Sequence, residues 1–276
     1  MEKRVIVPIA LVCLSLVGCA SFNTEKLKDS YQQRKEALQA SLPGGKQMLP
    51  LSGQFVNKES KLLPFDTVSI DGNFDVEIKR YPETYFYYMQ GDSAILNQVQ
   101  CYVKDRVLHL FANETFQYPV DSGVSVVIYA PEVRRLHYKG SGKVTMLGID
   151  SGTLATSVEG SGYLEVQGIT NRFDASAAGT SRLNAKCLYA RTIFINTADS
   201  AQAEVADNGT ISAFAADQSD IYYYQTPKMV AAHERLSGSV LRMKGLADPR
   251  APFLLPPPPE VTPQNAIMTP VALASK

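Results

Sequence analysis

Asp199, Asp217 and Asp220 fall on neighbouring turns of a repeat of about nineteen residues, with Arg182 one turn upstream. Carboxylates stacked at that interval could bind calcium through oxygen. With the guanidinium beside them they could also serve as acid and base on an acidic polysaccharide, as in β-helical lyases and hydrolases. The competing reading is that the aspartates are turn residues, because Asp bonds its own backbone there. Geometry, not residue type, identifies an acid–base pair, and the turn reading is the simpler one. His109, His137 and His233 lack metal-ligand spacing, and no phosphate loop, Gly-x-Ser-x-Gly elbow or Cys-x-x-Cys pair occurs. The expectation is no catalytic residue, no metal and no cofactor.

A second constellation suits contact rather than catalysis. Outward positions of the repeat place Tyr163, Arg182 and Asp220 in one column and Glu165, Asn184 and Tyr222 in the next. A flat face of tyrosine, amide and charge fits a glycan or a protein surface, where amphipathic rings give contact area at low entropic cost. Cys101 and Cys187 are left once the N-terminal cysteines are set aside. An oxidising compartment permits a disulfide between them, and two buried apolar side chains are the equal alternative.

These side chains need a regular scaffold, and the glycines supply its punctuation. Gly140-Ser141-Gly142 returns as Gly160-Ser161-Gly162, then in degraded form at Gly179-Thr180-Ser181, Ala198-Asp199-Ser200, Asp217-Gln218-Ser219 and Leu236-Ser237-Gly238. The central residues step by 20, 19, 19, 19 and 19, a period that belongs to a solenoid. One inward column reads Val144, Leu164, Leu183, Gln202, Ile221 and Val240, and the return strands add Leu136, Leu154, Phe173, Ile193, Ile211 and Val230. Gln202 breaks the column, while Ala201, Ala203 and Val205 alternate beside it, so a one-residue shift or bulge is expected there. The fold is therefore all-β, a parallel β-helix with rungs of about 19 residues over 131–245. It is preceded by a β-rich segment over 51–130. In that segment Phe65–Ile70 and Phe74–Ile78 read as two strands across the tight turn Asp71-Gly72-Asn73. Only 93–98 looks helical. The β segment before Tyr129 and the strand through Met243 are the candidate covers for the two open ends.

The termini carry different signals. Met1-Glu2-Lys3-Arg4 followed by an apolar run to Val17 reads as a secretory signal over 1–18, since the run is too short to span a bilayer. Residues 19–50 form a spacer with a short helix over 23–42, stopped by Pro43-Gly44-Gly45. Residues 246–276, with Pro256–Pro259, form a disordered, proline-rich tail. Lys plus Arg and Asp plus Glu both number 27, so no net field draws the protein to nucleic acid.

Leu16-Val17-Gly18-Cys19 resembles the bacterial lipobox. That resemblance implies cleavage before Cys19 and acyl (palmitate-type) chains anchoring the protein in a membrane, with Ala20 favouring the outer membrane. Phe65–Ile70, Phe74–Ile78, Gly91-Asp92, Val107–Leu110, Val126–Val133 and the two Gly-Ser-Gly turns together resemble the "putative autotransporter adhesin head" domain, or GIN domain. The likeness covers about Phe65 to Gly245 and implies a β-helical fold in an envelope lipoprotein, with a name that suggests adhesion and no catalytic residues. The reading is a lipid-anchored, non-enzymatic binding module of the cell envelope, on the periplasmic or surface face, with a glycan or envelope-protein ligand and an oligomeric state the sequence leaves open. A polysaccharide lyase or hydrolase and a purely structural scaffold are the alternatives.

Overall fold

The structure, a computed structural model, describes residues 47–112, 116–117, 124–206 and 209–244, and all but Gln47 fall in one unit, Met48–Lys276. Cys19 with its signal, the spacer helix and the proline-rich tail lie outside the described residues. Among the described residues no helix is long and apolar enough to cross a membrane.

Two parallel ladders run side by side, one on each side of the corner turns. The first stacks, in spatial order, Val107–Ala112, Thr67–Asp71, Arg135–Gly140, then 153–158, 172–177, 192–197, Thr210–Ala215 and Met229–Glu234. The second stacks Ser125–Ala130, Asp75–Arg80, 144–147, 163–167, 182–187, Gln202–Ala206, Asp220–Tyr224 and Ser239–Arg242. A β-solenoid results, as the glycine period demands. Alternate residues point inward: Leu154, Phe173, Ile193 and Ile211 are buried in the first ladder, and Val144, Leu164, Leu183, Ala203 and Ile221 in the second.

Two expectations are corrected by the register and a third is met. Thr67–Asp71 and Asp75–Arg80 do not form a hairpin: each joins a different parallel ladder, so the turn at 72–74 is one more corner of the coil. That winding sits between residues 107–130 and 135–147, out of sequence order. Leu136 stacks on Thr156, not on Leu154, because alignment of Gly140 with Gly160 fixes a step of twenty there. The inward residue beside Leu183 is Ala203 and not Gln202, which is the expected one-residue shift.

The left-handed corners locate the shift. They are Gly160 (φ 98°), Gly179 (77°), Asp199 (59°), Asp217 (61°) and Leu236 (60°). The even nineteen-residue step is thus replaced by 19, 20, 18 and 19 along this column. Aspartate tolerates positive φ better than most residues. It gains here because each carboxylate accepts from the corner of the preceding winding: Gly179 N–H to Asp199 Oδ2 at 2.9 Å, and Asp199 N–H to Asp217 Oδ2 at 3.3 Å.

The two ends of the stack differ. At the first, Val99–Lys104 pairs antiparallel with Val107–Ala112, and Phe86–Asp92 pairs antiparallel with both Ser125–Ala130 and Phe55–Lys61. The helical turn Ser93–Leu96 buries Ile95 and Leu96 there, so this end is covered as expected. Asp92 caps that turn. Burial opposes its ionisation, but hydrogen bonds from Ser52, Ala94 and Gly53 outweigh burial and hold the carboxyl below its ordinary value. At the far end, Ser239–Arg242, just before Met243, is the last described strand of the second ladder, stacked parallel on Asp220–Tyr224 with Val240 beside Ile221.

Cys101 and Cys187 are free thiols. Cys101 stands opposite Leu110 in the end hairpin, whereas Cys187 stands beside Gln167 in the second ladder. Burial pushes the Cys101 thiol from 9.0 up to about 12, and the buried Tyr138 phenol from 10.0 up to about 12. Both groups keep their protons in the folded chain after the unfolded chain has lost them. Their contribution is therefore complete below pH 9.0 and drains away as pH climbs toward about 12. Urea midpoints measured across that interval should fall, and in Cys101→Ala the fall should be shallower, with Cys187, also raised by burial, and Tyr138 supplying what remains. A fall as steep in the variant as in the wild type would show that the Cys101 thiol does not titrate this way.

Candidate functional site

The second ladder carries the predicted face. Tyr163 pairs with Arg182, Arg182 with Gln202 and Gln202 with Asp220, so the three expected residues do share a column, extended by Lys143 at one end. Glu165 pairs with Asn184, Asn184 with Glu204 and Glu204 with Tyr222 in the adjacent column. Strand pairing sets neighbours in each column about 4.8 Å apart. Gln202 and Glu204 belong to this face and were missed in the sequence. Placing Gln202 inward hid them, although the alternation of Ala201, Ala203 and Val205 already marked both as outward.

Hydrogen bonds tie the face together. The Asn184 amide donates to the Tyr163 hydroxyl at 2.9 Å, and the Gln167 amide donates to Glu165 at 2.9 Å. Lys143 lies 3.7 Å from Glu165 and 5.7 Å from the centre of the Tyr163 ring. Lys186 pairs with Glu204 and lies 5.4 Å from the Tyr224 ring centre. Burial disfavours the Lys186 ammonium, yet the Glu204 carboxylate prevails and raises its affinity for the proton. The Tyr222 hydroxyl donates to Asp220 at 3.0 Å, and burial followed by that bond raises the phenol. Arg182 is exposed at the centre of the face.

This arrangement offers donors, acceptors and half-exposed rings on a rigid plane. It does not assemble an acid–base pair. Asp199 and Asp217 sit at the corner with their carboxylates bound to backbone N–H groups, while Asp220 lies on the flat face and holds Tyr222. Among the described residues no group of three His, Cys, Asp or Glu side chains could hold a metal ion. Asp199 and Asp217 thus match the turn reading, whereas Asp220 is a strand residue.

The first ladder has a feature that sequence reasoning did not single out. Phe194 and Phe214 are 37% and 40% exposed on its outer side. The Arg172 guanidinium lies 4.5 Å from the Phe194 ring centre and is clamped by Asp174 at 2.9 Å. The available signal was an aromatic at an outward position of an alternating strand, Ile193-Phe194-Ile195.

Comparison with known proteins follows the same lines. A "putative adhesin" from Bacteroides fragilis NCTC 9343 superposes with a TM-score of 0.59 at 15% identity, covering 70% of this chain and 98% of its own, which shows a shared fold. A "putative adhesin" from Parabacteroides merdae ATCC 43184 gives 0.49 at 11% identity, and a "putative lipid binding protein" from Parabacteroides distasonis ATCC 8503 gives 0.45 at 18%, with the same two coverages. No curated protein matches the chain. Over residues 64–227 the sequence fits the family described as "Putative auto-transporter adhesin, head GIN domain", and with more than half its length matched the chain belongs to that family.

Proposed function

We propose that the protein is an envelope lipoprotein, anchored in the outer membrane by acyl chains on Cys19, whose β-helical domain binds a glycan or an envelope protein without catalysing a reaction. The observation that carries this reading is the pair of register-locked columns, Tyr163–Arg182–Gln202–Asp220 and Glu165–Asn184–Glu204–Tyr222, on a flat wall with no acid–base pair. Such a wall presents recognition groups at a fixed interval, and the strands that hold it leave little ordering entropy to lose on binding. Family membership supports a binding role over an enzymatic one.

Glycan arrays and envelope-protein pull-downs with the soluble domain test the reading. Tyr163→Ala, Arg182→Ala and Tyr222→Ala should each weaken the captured ligand at least about tenfold with unfolding midpoints little changed, the size of effect expected of an anchoring ring or guanidinium. Capture that survives all three substitutions would place binding elsewhere. Surface-protease accessibility on whole cells tests adhesion separately, since a domain protected inside the periplasm could not meet another cell.

A further inference from the structure

The outer side of the first ladder carries a further set of recognition groups, and register puts them in one line. His109 pairs with Ser69, Ser69 with His137, His137 with Ser157, Ser157 with Ser176 and Ser176 with Asn196. Phe214 and His233 continue the line, so all three histidines of the chain share it. Each of the first six is flanked in its strand by buried residues and faces outward. Two open grooves lie along the line. One, of about 580 Å³, is lined by Ser69, Asp71, Gln100, His109 and Phe111 among others. The other, of about 450 Å³, is lined by His137, Ser157, Ser176 and Asn196, with the Arg172–Asp174 pair and Phe194 beside them. Ser69 of the first and His137 of the second are register neighbours, so the grooves meet end to end. Ala155, Ser157 and Ser176 are small and Arg172 and Phe194 are large, which hollows a sheet face that would otherwise be flat.

On the second ladder the donors of Asn184, Gln167, Tyr222 and Lys186 are spent on neighbouring side chains. Here they are not. Among the described residues the side chains of Ser69, His137, Ser157, Ser176 and Asn196 make no hydrogen bond to protein. The strands fix their positions, so they can exchange water for a ligand without breaking a bond within the fold.

We infer that this line is a second binding site, for an uncharged, extended glycan lying across the windings. Hydroxyl, imidazole and amide each offer both a donor and an acceptor, as sugar hydroxyls do. The charged residues lining the grooves are Asp71, Arg172 and Asp174, and Asp174 holds Arg172 at 2.9 Å, so the lining does not select a polyanion. Phe111 at one end and Phe194 and Phe214 at the other provide apolar ring surface for the apolar faces of sugars. Strand pairing repeats these groups every 4.8 Å or so, close to one sugar unit of an extended chain and longer than the roughly 3.4 Å of a peptide residue. Five such steps separate His109 from Asn196, a length of about 24 Å. The site is independent of the wall on the second ladder.

Calorimetric titration of the full chain with β-1,4-linked glucose and N-acetylglucosamine oligomers of increasing length tests the site. Affinity for at least one series should rise with each added unit and level off at about five units, when the oligomer spans His109 to Asn196. His137→Ala and Asn196→Ala should each weaken the longest oligomer about fivefold, the effect of one hydrogen bond. Ser176→Tyr fills the groove floor from an outward strand position and should abolish binding with the unfolding midpoint little changed. Tyr163→Ala and Arg182→Ala should leave these oligomers bound as before, whatever they do to a ligand of the second ladder. Failure of both series to bind, or affinity that stops rising at the disaccharide, would overturn the proposal. Oligomers lost through Tyr163→Ala but kept by His137→Ala would place the glycan on the second ladder, overturning this site while leaving the reading of the wall intact.

Discussion

Gly142→Ala should cost about 4 kcal/mol or prevent folding, an effect in the range reserved for a defined steric or cavity defect. A Cβ on Gly142 would stand 2.1 Å from the carbonyl oxygen of Phe74 and 2.7 Å and 2.8 Å from its carbonyl carbon and amide nitrogen. All three are backbone atoms of the winding stacked beneath, so no side chain can rotate away. Phe74 would have to retreat by more than an ångström, which would break the bonds joining the windings there, Gly72 N–H to Lys139 O and Lys143 N–H to Asp75 Oδ1. Gly152 is the control. Nothing lies within 4 Å of its would-be Cβ and its φ is not positive, so Gly152→Ala should be neutral or stabilise by up to about 1 kcal/mol through the unfolded chain. Urea unfolding of both variants decides the matter. If they behaved alike, residues 67–80 would not lie under the Gly-Ser-Gly corner.

Phe173→Ala should lose about 4 kcal/mol through the cavity it leaves. The ring is fully buried between Leu154 and Ile193 in the narrow interior, and the strands carrying them are fixed by hydrogen bonds on both sides. Collapse around the hole is therefore limited, which keeps the cost well within the usual range for a buried aromatic. Because each winding touches only its neighbours, the damage should be local. Hydrogen exchange should accelerate first in 153–158 and 192–197 and last in Thr67–Asp71. Uniform acceleration along the whole stack would mean that the solenoid unfolds as one indivisible unit.

How much of this was legible in the sequence varies from residue to residue. Val144, Leu164 and Leu183 announced a narrow interior because inward and outward positions alternate along any strand, and that rule is local. Tyr163, Arg182 and Asp220 could be placed in one column for the same reason once the period was known. The slip at Gln202 was marked by the alanines flanking it. In contrast, the pairing of Leu136 with Thr156 was misplaced by two residues. A column read as aliphatic favours Leu154, whereas the alignment of Gly140 with Gly160 overrides side-chain preference. Asp199 was likewise set one place away from the left-handed corner it occupies, because only register shows which residue of a degraded turn takes the place of glycine.

The sequence by itself determined the period, through turns that return every 19 or 20 residues, and the sidedness of most strands, through alternation along each one, while the order of its motifs pointed to the family. Only the tertiary structure decided that residues 67–80 enter the stack between 107–130 and 135–147, and that Gln202 and Glu204 complete the polar wall. The reason is that a strand's hydrogen-bonding edges are the same whichever strand it meets. Alternation tells a residue which way to face, but the choice of neighbour is made by the whole chain when distant windings come close enough to share backbone hydrogen bonds.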